Sequence, residues 1–593
     1  MAEKMPLDPK ADAREKGGGE EKKQSILNTP AECTLVIDGR QIKYDIARLE
    51  IKQTIDGHHI MKLRAHQQGQ ISAAADFADQ IPYADYLGKS VSITIKPTGG
   101  MVDAAREHGF IGVITQIDLD NSIDALNQTM VTAASPTVSM DGAEHNVFYR
   151  DQSASDIIGA ILRKHPLTLG KIESSSGTLA FSVQYRETDY EYVMRLAASG
   201  GLFALYDGKE FRVVKANSSN AEELVWRESL GAFSVGLGTA PAEFNARVYN
   251  YEQKKTYTQD TASLSQQASL SNLSRISPEA SKKIFSESGF SAAPAVVDDA
   301  QSLDGTLQKE RLRAMGRMIV CKGQSNIPRL SVGRCAKIKG MKNFDGMYWV
   351  TAVTHIYDDT GYYNTFQCTP VDIAYPAARS SRKPATHLQM AVVVDNNDPD
   401  KLGRIKVKFP WNESDETPWV RLAVPHAGDK RGWLSLPEID DEVLIGYEQN
   451  NPDLPIALAA LYNKETALPA DPGGSNDFKV FVTRSGNQIY MSDEDGKEEI
   501  KILQKGDKNQ IVLQLSGPSI TIKSDGGDIS LEAKNITIKA DEAIKLEGGK
   551  DVNAKAGANL KIEASANMDL KASAMMTVDG GMTTVKGQPL QLN

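Results

Sequence analysis

The tail of the chain is built on a repeat of eight residues. Beginning at Ile520, an apolar–polar–apolar triplet recurs, first after nine and seven residues and then at every eighth residue. Eight residues is not a helical period, whereas alternation of apolar and polar side chains is typical of a strand. Gly, Asn, Asp and Ala fill most positions between the triplets. The repeat therefore predicts a series of short strands separated by corners.

Each repeat supplies too few apolar side chains to build a core alone. A single-chain solenoid needs longer rungs because one chain must make every wall, and eight residues make about one wall. Three chains around a common axis would each supply one wall per turn. We therefore predict that residues 476–593 form a homotrimeric needle, an intertwined triple-stranded β-helix or β-prism, rather than a single-chain β-helix or an amyloid-like edge. The predicted trimer core consists of Ile520, Ile522, Ile529, Leu531, Ile536, Ile538, Ile544, Leu546, Val552, Leu560, Ile562, Met568, Leu570, Met576 and Val578.

The pattern changes at both ends of this repeat. Upstream, the pairs Ile489/Met491, Ile500/Ile502 and Ile511/Leu513 are spaced by eleven residues, which predicts longer strands leading into the octads. Downstream, the octads stop after Val578, and Leu590 and Leu592 form a last apolar pair. A blunt prism end would expose strand edges, so we expect Leu590 and Leu592 to contact a capping partner.

The preceding residues predict a mainly β protein with a few helices. Residues 1–27 are rich in Lys, Glu and Gly and are expected to be a disordered arm. Residues 28–376 alternate with period two between turn signals, as in β-barrel domains, apart from helical segments and a Ser/Gln/Ala-rich insertion at about 253–305. Residues 387–464 hold about five strands, which suits an OB-fold barrel.

Composition excludes several classes of protein. The 593 residues carry a net charge of −10 and no basic run, which argues against a nucleic-acid partner. The start of the sequence lacks the apolar segment of a signal peptide, so we expect synthesis in the cytoplasm. The four cysteines, Cys33, Cys321, Cys335 and Cys368, are scattered without zinc-ligand spacing, and we expect reduced thiols that pack as small apolar side chains.

Two groups of segments resemble one known family. "FSVQYRETDYEYVMRLAASGGLFALYDG" at 181–208 resembles a hub-domain signature of the VgrG spike proteins of type VI secretion systems. "DKLGRIKVKFPW", "WVRLAVPHAG" and "GWLSLPEIDDEVLIGYEQNNPDLPIALAALYN" are similar to the OB-fold segment of the same family. The order of barrels, OB fold and octad prism is equally similar to the hub and spike proteins of phage tails and other contractile injection systems.

The resemblance implies a set of partners. Three copies would form a hub that matches a sixfold inner-tube ring and contacts baseplate proteins, and the OB domain would join hub to needle. A PAAR-type tip protein would sit on the needle end, and sheath contraction would drive the spike mechanically through a target membrane. The resemblance also implies assembly in an injection particle and delivery to the extracellular space or a target cell. Residues 1–27 could be disordered, fold against tube or baseplate, or hold effector cargo, and the kind of machine stays open.

An enzyme is the rival class, as a phage spike with a cell-wall-degrading domain. The space between OB fold and needle, "KETALPADPGGSNDFK", is too short for such a domain, and no GxSxG, HExxH or Walker loop occurs. A receptor-binding tail fibre is the third class, but fibres lack hub domains. We therefore expect a non-enzymatic protein with no catalytic residue, no metal and no cofactor.

The polar clusters of the sequence fit this expectation. The acidic runs Glu438/Asp440/Asp441 and Asp493/Glu494/Asp495 read as solvated turns. "DNNDPDK" at 395–401 lacks the central glycine and distal glutamate of a calcium loop, so we predict a plain loop between strands. His58, His59 and His355 are predicted to be structural or surface residues without partners.

Overall fold

The computed structural model describes residues 28–42, 45–66, 83–98, 107–120, 128–175, 177–219, 221–264, 270–291, 299–379, 387–412 and 414–591. The predicted arm at 1–27 and the predicted tip residue Leu592 lie outside the described residues. The chain divides into two compact units, residues 1–467 and 468–593, which are described separately.

The first unit begins with seven strands, which we call lobe 1. These are β1 (Ala31–Ile37), β2 (Arg40–Ile42), β3 (Asp45–Thr54), β4 (Ile60–His66), β5 (Ser90–Pro97), β6 (His108–Asp120) and β7 (Gln128–Ala134), with the short helix α1 (Tyr83–Tyr86) before β5. The Asp38–Gly39 dipeptide between two apolar runs predicts a hairpin. This hairpin is confirmed, because Ile37 pairs with Arg40 across the two turn residues, both of which have positive φ.

A mixed segment follows lobe 1. It contains β8 (His145–Gln152), α2 (Ala154–Leu162), β9 (Leu169–Ile172), β10 (Leu179–Glu187), α3 (Asp189–Ser199), β11 (Phe203–Tyr206) and β12 (Phe211–Val214). The serines before α2 are cap candidates in the sequence, and Ser153 indeed accepts a hydrogen bond from the Asp156 amide. At the start of α3, Thr188 and Glu191 form a capping box that the sequence reasoning missed. The apolar faces of α2 and α3 pack together over Tyr206 and Phe211.

The next segment contains a second set of strands and a small module inside it. In chain order the elements are β13 (Glu222–Val225), β14 (Leu230–Leu237), β15 (Phe244–Asn250), β16 (Lys255–Asp260), α4 (Asn272–Ile284), β17 (Gly289–Ser291), α5 (Asp304–Met318), β18 (Ile319–Ser325), β19 (Cys335–Lys339), β20 (Gly346–Asp358) and β21 (Gly361–Pro370). We call β13, β14 and β18–β21 lobe 2. The Ser/Gln/Ala-rich stretch is not a bare loop, because β15–β17 form a sheet whose core includes Val248, Tyr257 and Leu307.

Both lobes belong to one sheet. Its strands run in the order β14-β18-β21-β20-β3-β4-β7-β6-β5-β1-β2, with β19 and β13 branching from β20. Each lobe still has a separate core, centred on Ile51, Met61 and Ile93 in lobe 1 and on Cys321, Val350 and Phe366 in lobe 2. The lobes meet where β3 pairs with β20.

The last part of the first unit is the predicted small barrel. Its elements are β22 (Gln389–Asp395), β23 (Lys406–Lys408), β24 (Arg421–Leu422), β25 (Ala427–Gly428), β26 (Arg431–Gly432), β27 (Glu442–Tyr447) and β28 (Pro455–Leu461). Five of them form a sheet in the order β23-β22-β27-β28-β24, which agrees with the predicted count of strands. Val393, Ile405 and Val443 lie in its core.

The second unit begins as an antiparallel meander. Its strands are β29 (Phe478–Val482), β30 (Gln488–Ser492), β31 (Glu499–Leu503), β32 (Asn509–Gln514) and β33 (Ser519–Ser524), each paired with the next. The predicted longer strands upstream of the octads are therefore present. Among the described residues after Ser524, which end at 591, there is no strand.

The predicted fold class, mainly β with an OB-type domain, is confirmed. Three cysteines are buried free thiols as expected, while Cys33 is half-buried. Within the described ranges, no helix is both long enough and apolar enough to cross a bilayer.

Candidate functional site

The meander of the second unit has one apolar face, which we call the needle face. Strand pairing aligns Ile489, Ile502, Ile511 and Ile522 in one row across the sheet, and Met491, Ile500, Leu513 and Ile520 in a second row. These eight side chains are between 38 and 73% exposed, although cross-strand rows of this kind normally line a core. The needle face is thus an ordered apolar surface that the second unit itself does not cover.

The octad residues continue this exposure. From Ile529 to Val578, the large predicted core side chains are between 48 and 75% exposed, and Leu590 is 51% exposed. A soluble monomer rarely leaves so long a run of apolar side chains in water. Within one chain, the apolar residues of the octad pattern therefore remain exposed to solvent.

The backbone of the octad segment is also unpaired within the chain. The last backbone hydrogen bond joins the Asp525 amide to the Lys508 carbonyl, and none links two described residues beyond it, through 591. Amide and carbonyl groups of extended backbone require partners when they leave water. Within one chain, both the apolar side chains and the backbone groups of this segment are therefore without partners among the described residues.

In the first unit, the segment 181–208, which carries the family resemblance, contains both β10 and α3. Its strand β10 lies between α3 and the OB domain and contacts both. Arg195 donates to both carboxylate oxygens of Glu187, at 2.8 and 2.7 Å, and to the Val183 carbonyl. The Val183 amide in turn donates to the Asp453 carboxylate, 2.7 Å away, in the OB domain. Phe148 and Val183 pack in the OB core itself.

Burial and hydrogen bonds shift the pKa values of the charged groups at and near this junction. Burial disfavours the Arg195 charge, but the hydrogen bonds to Glu187 outweigh it and raise the pKa of Arg195. Burial raises the pKa of Asp453, against the pull of Arg195. Burial would also raise the pKa of Asp189, yet the hydrogen bonds from Gln184 and His165 hold it lower. The residues that carry the family resemblance therefore have a structural role that sequence reasoning did not assign.

Arg195→Ala should destabilise the first unit by about 3–5 kcal/mol, because it leaves the Glu187 carboxylate buried without a partner. The measurement is the urea midpoint of the full chain. Arg186→Ala is the matched control: Arg186 pairs with Glu144 at the surface, where such a pair contributes about 0–1 kcal/mol. Equal effects of the two substitutions would contradict the structural role of the junction.

Three histidines meet in the interior where the lobes join. The rings of His108 and His355 stack with centroids 3.8 Å apart, and the ring of His59 lies 5.5 Å from that of Tyr206. All three histidines are buried, and both ring nitrogens of His59 lack a hydrogen-bond partner. Burial lowers the pKa of His59 and of His108 to about 3, and lowers that of His355 as well.

The prediction that His58 and His355 have no partners is wrong. His355 Nδ1 lies 2.8 Å from the Tyr362 hydroxyl, across the β20–β21 hairpin. His58 contacts Thr137 and Asp141, each at 2.7 Å, from the short 3-10 helix after β7. These partners are supplied by tertiary pairing, which the local sequence does not reveal.

The remaining polar clusters lie on turns. Asp441 accepts a hydrogen bond from the Glu438 amide, and Asp493 pairs with Lys479 at 2.8 Å. The loop at 395–401 is closed by Asp398, which accepts from the Arg404 guanidinium, and this hydrogen bond chiefly lowers the pKa of Asp398. In the described ranges, no group of three or more His, Cys, Asp or Glu residues has the geometry to hold a metal ion.

Two family models match the chain. Residues 66–361 match the phage tail baseplate hub, and residues 389–462 match the type VI secretion system/phage-baseplate injector OB domain. Together the matches take in 370 of the 593 residues. The hub match includes residues 253–305, which were predicted to be an insertion from their Ser/Gln/Ala-rich composition.

Curated relatives agree with these matches. The chain is 23% identical over 481 residues to the type VI secretion system spike protein VgrG1b of Pseudomonas aeruginosa, covering 72% of this chain and 62% of that protein. It is 22% identical over 445 residues to the actin cross-linking toxin VgrG1 of Vibrio cholerae, covering 69% of this chain and 40% of that protein. The chain thus spans about three fifths or less of the length of these relatives.

The fold has a solved counterpart. A chain of the half-lidded Francisella PdpA–VgrG complex superposes with a TM-score of 0.53 at 10% identity, over 83% of this chain and 88% of that chain. The architecture, both family models and the curated spike proteins point the same way. The chain belongs to the VgrG-type family of spike and baseplate-hub proteins.

Proposed function

We propose that this chain is the non-enzymatic, homotrimeric hub and spike of a contractile injection system. The observation that carries the proposal is the second unit, in which a sheet with an exposed apolar face leads into octads without backbone bonds of their own. Three such tails can cover each other's apolar faces and pair each other's backbones, which one tail cannot do.

Partners follow from this arrangement. The hub would seat on the sixfold inner-tube ring and on baseplate proteins, and a PAAR-type tip protein would cover the needle end near Leu590. A VgrG protein is solved in complex with PdpA, which supports cargo as a further partner of this chain. We propose that the protein is made in the bacterial cytoplasm, assembled in the particle, and carried outward to puncture a target membrane mechanically.

Light scattering of the purified full chain tests the proposal. Three copies of 64.5 kDa should give a mass of about 194 kDa. A chain lacking residues 476–593 should lose most of the trimer at the same protein concentration, because the uncovered apolar faces lie in that segment. A full chain that stays monomeric at micromolar concentration would contradict the proposed function.

A further inference from the structure

The residue that follows each octad triplet carries a charge whose sign alternates along the tail. Counted from the first apolar residue of a triplet, the fourth position is charged in all eight repeats from Ile520 onward, and the sign changes at every step. We call these residues the charge ladder: Lys523, Glu532, Lys539, Glu547, Lys555, Glu563, Lys571 and Asp579. The second position follows no such rule, since it runs Thr, Ser, Thr, Lys, Asn, Lys, Asp, Thr. The alternation therefore belongs to one position and not to the segment as a whole.

Strand alternation places the charge ladder on the face opposite the predicted core. The first and third positions of each triplet carry the apolar side chains, so the second and fourth positions share the other face. The first member is seen in this arrangement: in β33, Lys523 follows Ile522 of the needle face and lies two residues after Thr521. All eight ladder residues are exposed in the single chain. They are thus available for contacts on the outside of a needle.

Within one chain the ladder residues do not pair with each other. Among the described residues, Glu563 is the only ladder member in an ion pair, and its partner is Lys561 of the same octad. Consecutive ladder members are seven to nine residues apart. Eight residues of extended strand span roughly 26 Å, which is far beyond the reach of a lysine–carboxylate pair even where a corner intervenes. The alternation of sign from one octad to the next therefore brings no contact to a single chain.

In the proposed trimer the same residues would become neighbours. Each octad forms one wall of the prism, and the next octad of that chain forms the next wall, about 4.8 Å further along the axis. The strand above an octad on the same wall is then the next octad of another chain. Equivalent positions of adjacent strands lie about 5 Å apart, where side chains of opposite charge attract each other. Each ladder lysine would thus lie between carboxylates of the two other chains.

The apolar core alone specifies the alignment of the three chains weakly. Its triplets are similar from one octad to the next, so a chain that slides by a whole octad would bury a similar core. The nine- and seven-residue spacings around Ile529 mark a fixed position, as does the meander before them, but both lie at one end of the segment. Alignment along the remaining octads would require a second signal.

We propose that the charge ladder sets the register of the three chains in the needle. The proposal rests on the proposed trimer and names the surface that aligns it. With the chains in register, every ladder contact between adjacent strands joins opposite charges. A slip of one chain by one octad turns its ladder contacts with both other chains into contacts between like charges, which are destabilising. A slip by two octads restores the signs but leaves two octads of that chain without partners.

Sorting of chains tests this role of the ladder. The inverted chain carries Lys523→Glu, Glu532→Lys, Lys539→Glu, Glu547→Lys, Lys555→Glu, Glu563→Lys, Lys571→Glu and Asp579→Lys. Three second-position charges lie two residues before ladder members of opposite sign. The inverted chain and its partner, the reference chain, therefore both also carry Lys545→Thr, Lys561→Thr and Asp569→Thr, since threonine already holds this position at 521, 537 and 577. The two full-length chains then have equal net charge, and each preserves every opposite-charge contact with copies of itself.

We expect each of these two chains to form trimers by itself, with the mass that light scattering gives for the wild-type protein. Wild-type signs would meet like signs wherever a reference chain lies beside an inverted chain. After co-expression with two different affinity tags, trimers that carry both tags should be at least about tenfold rarer than random combination gives. The control is the reference chain expressed with both tags, which should combine at random.

A stability series tests the same contacts without mixing chains. In the reference chain, Lys555→Glu places like charges next to Glu547 and Glu563 of the other chains, two contacts per chain and six in the trimer. Adding Glu563→Lys, Lys571→Glu and Asp579→Lys leaves only the three contacts with Glu547 unfavourable. The variant with all four ladder substitutions should therefore recover about half of the fall in melting temperature that Lys555→Glu alone causes.

The outcomes separate this proposal from the proposed function. If the reference chain is trimeric but combines at random with the inverted chain, the ladder does not set the register while the trimer stands. An inverted chain that fails to assemble, or a four-substitution variant no more stable than Lys555→Glu alone, would also contradict the ladder. Monomeric wild-type protein in light scattering would overturn both proposals.

Discussion

Ile544→Asp should prevent assembly of the needle. In the proposed trimer, threefold symmetry would place three carboxylates in one layer, where the present side chains are apolar. Burial of even one neutral polar group costs roughly 2–7 kcal/mol without a hydrogen bond, and a charge costs more. Three such costs sum to roughly 6–21 kcal/mol even for neutral groups, which is as large as the ~5–15 kcal/mol that typically separates a folded protein from its unfolded state. Light scattering should show the loss as a fall from trimer to monomer mass.

The neighbouring residue offers a matched control for this experiment. Lys545→Asp introduces the same side chain one position later, where strand alternation directs it away from the predicted axis. It should leave the trimer intact. If Ile544→Asp assembled with unchanged mass and unchanged melting temperature, Ile544 would not face the axis, and the octads would need another explanation.

The free energy of unfolding of the first unit should decrease below about pH 6. His59, His108 and His355 are buried as neutral rings, with pKa values that burial lowers, to about 3 for His59 and His108, from an ordinary value of 6.5. The unfolded chain therefore binds more protons than the folded chain between these values, so stability is fully present above pH 6.5 and declines as the pH falls toward 3. Each histidine contributes up to about 1.4 kcal/mol per pH unit in this window.

Neighbouring charges work in the same direction. Lys209 and Arg334 lower the pKa of His108 further, and only Asp207 and a backbone hydrogen bond oppose them. His58 and His108 disfavour a charge on His59. Burial is the largest effect on all three rings, so they should take up protons together with unfolding.

The test is the urea midpoint of the full chain measured from pH 7.5 to 4.5. The dependence on pH should be steepest below pH 6, and His108→Gln should flatten it by about one proton, which is about 1.4 kcal/mol per pH unit. His426→Gln, at an exposed position, should not change the slope. An unaltered slope in His108→Gln would show that the cluster does not couple folding to pH.

The sequence pattern predicted those elements of the fold that are specified by a few neighbouring residues. The hairpin at Asp38–Gly39, the serine cap of α2 and the OB strands were all visible, because turn chemistry, capping and strand alternation specify them within a few residues. The meander strands around Ile500 and Ile511 were predictable for the same reason.

Contacts between distant segments could not be predicted in this way. The pairing of β3 with β20 joins residues about three hundred positions apart, and neither strand carries a signal that names the other. The histidine cluster depends on that pairing, and the Arg195–Glu187–Asp453 junction depends on how the OB sheet packs on β10.

The absence of internal backbone bonds in residues 526–591 has a consequence for biosynthesis. In the proposed trimer, a freshly made tail can pair only with two other tails, so its folding rate should depend steeply on protein concentration. Until the tails have paired, proteases should cleave the extended tail readily. Once three tails have paired as proposed, each would be held by its neighbours, and release would require all three to separate at once. Assembly would thus be slow and sensitive to proteases, whereas the finished rod would resist dissociation while force is applied along its axis.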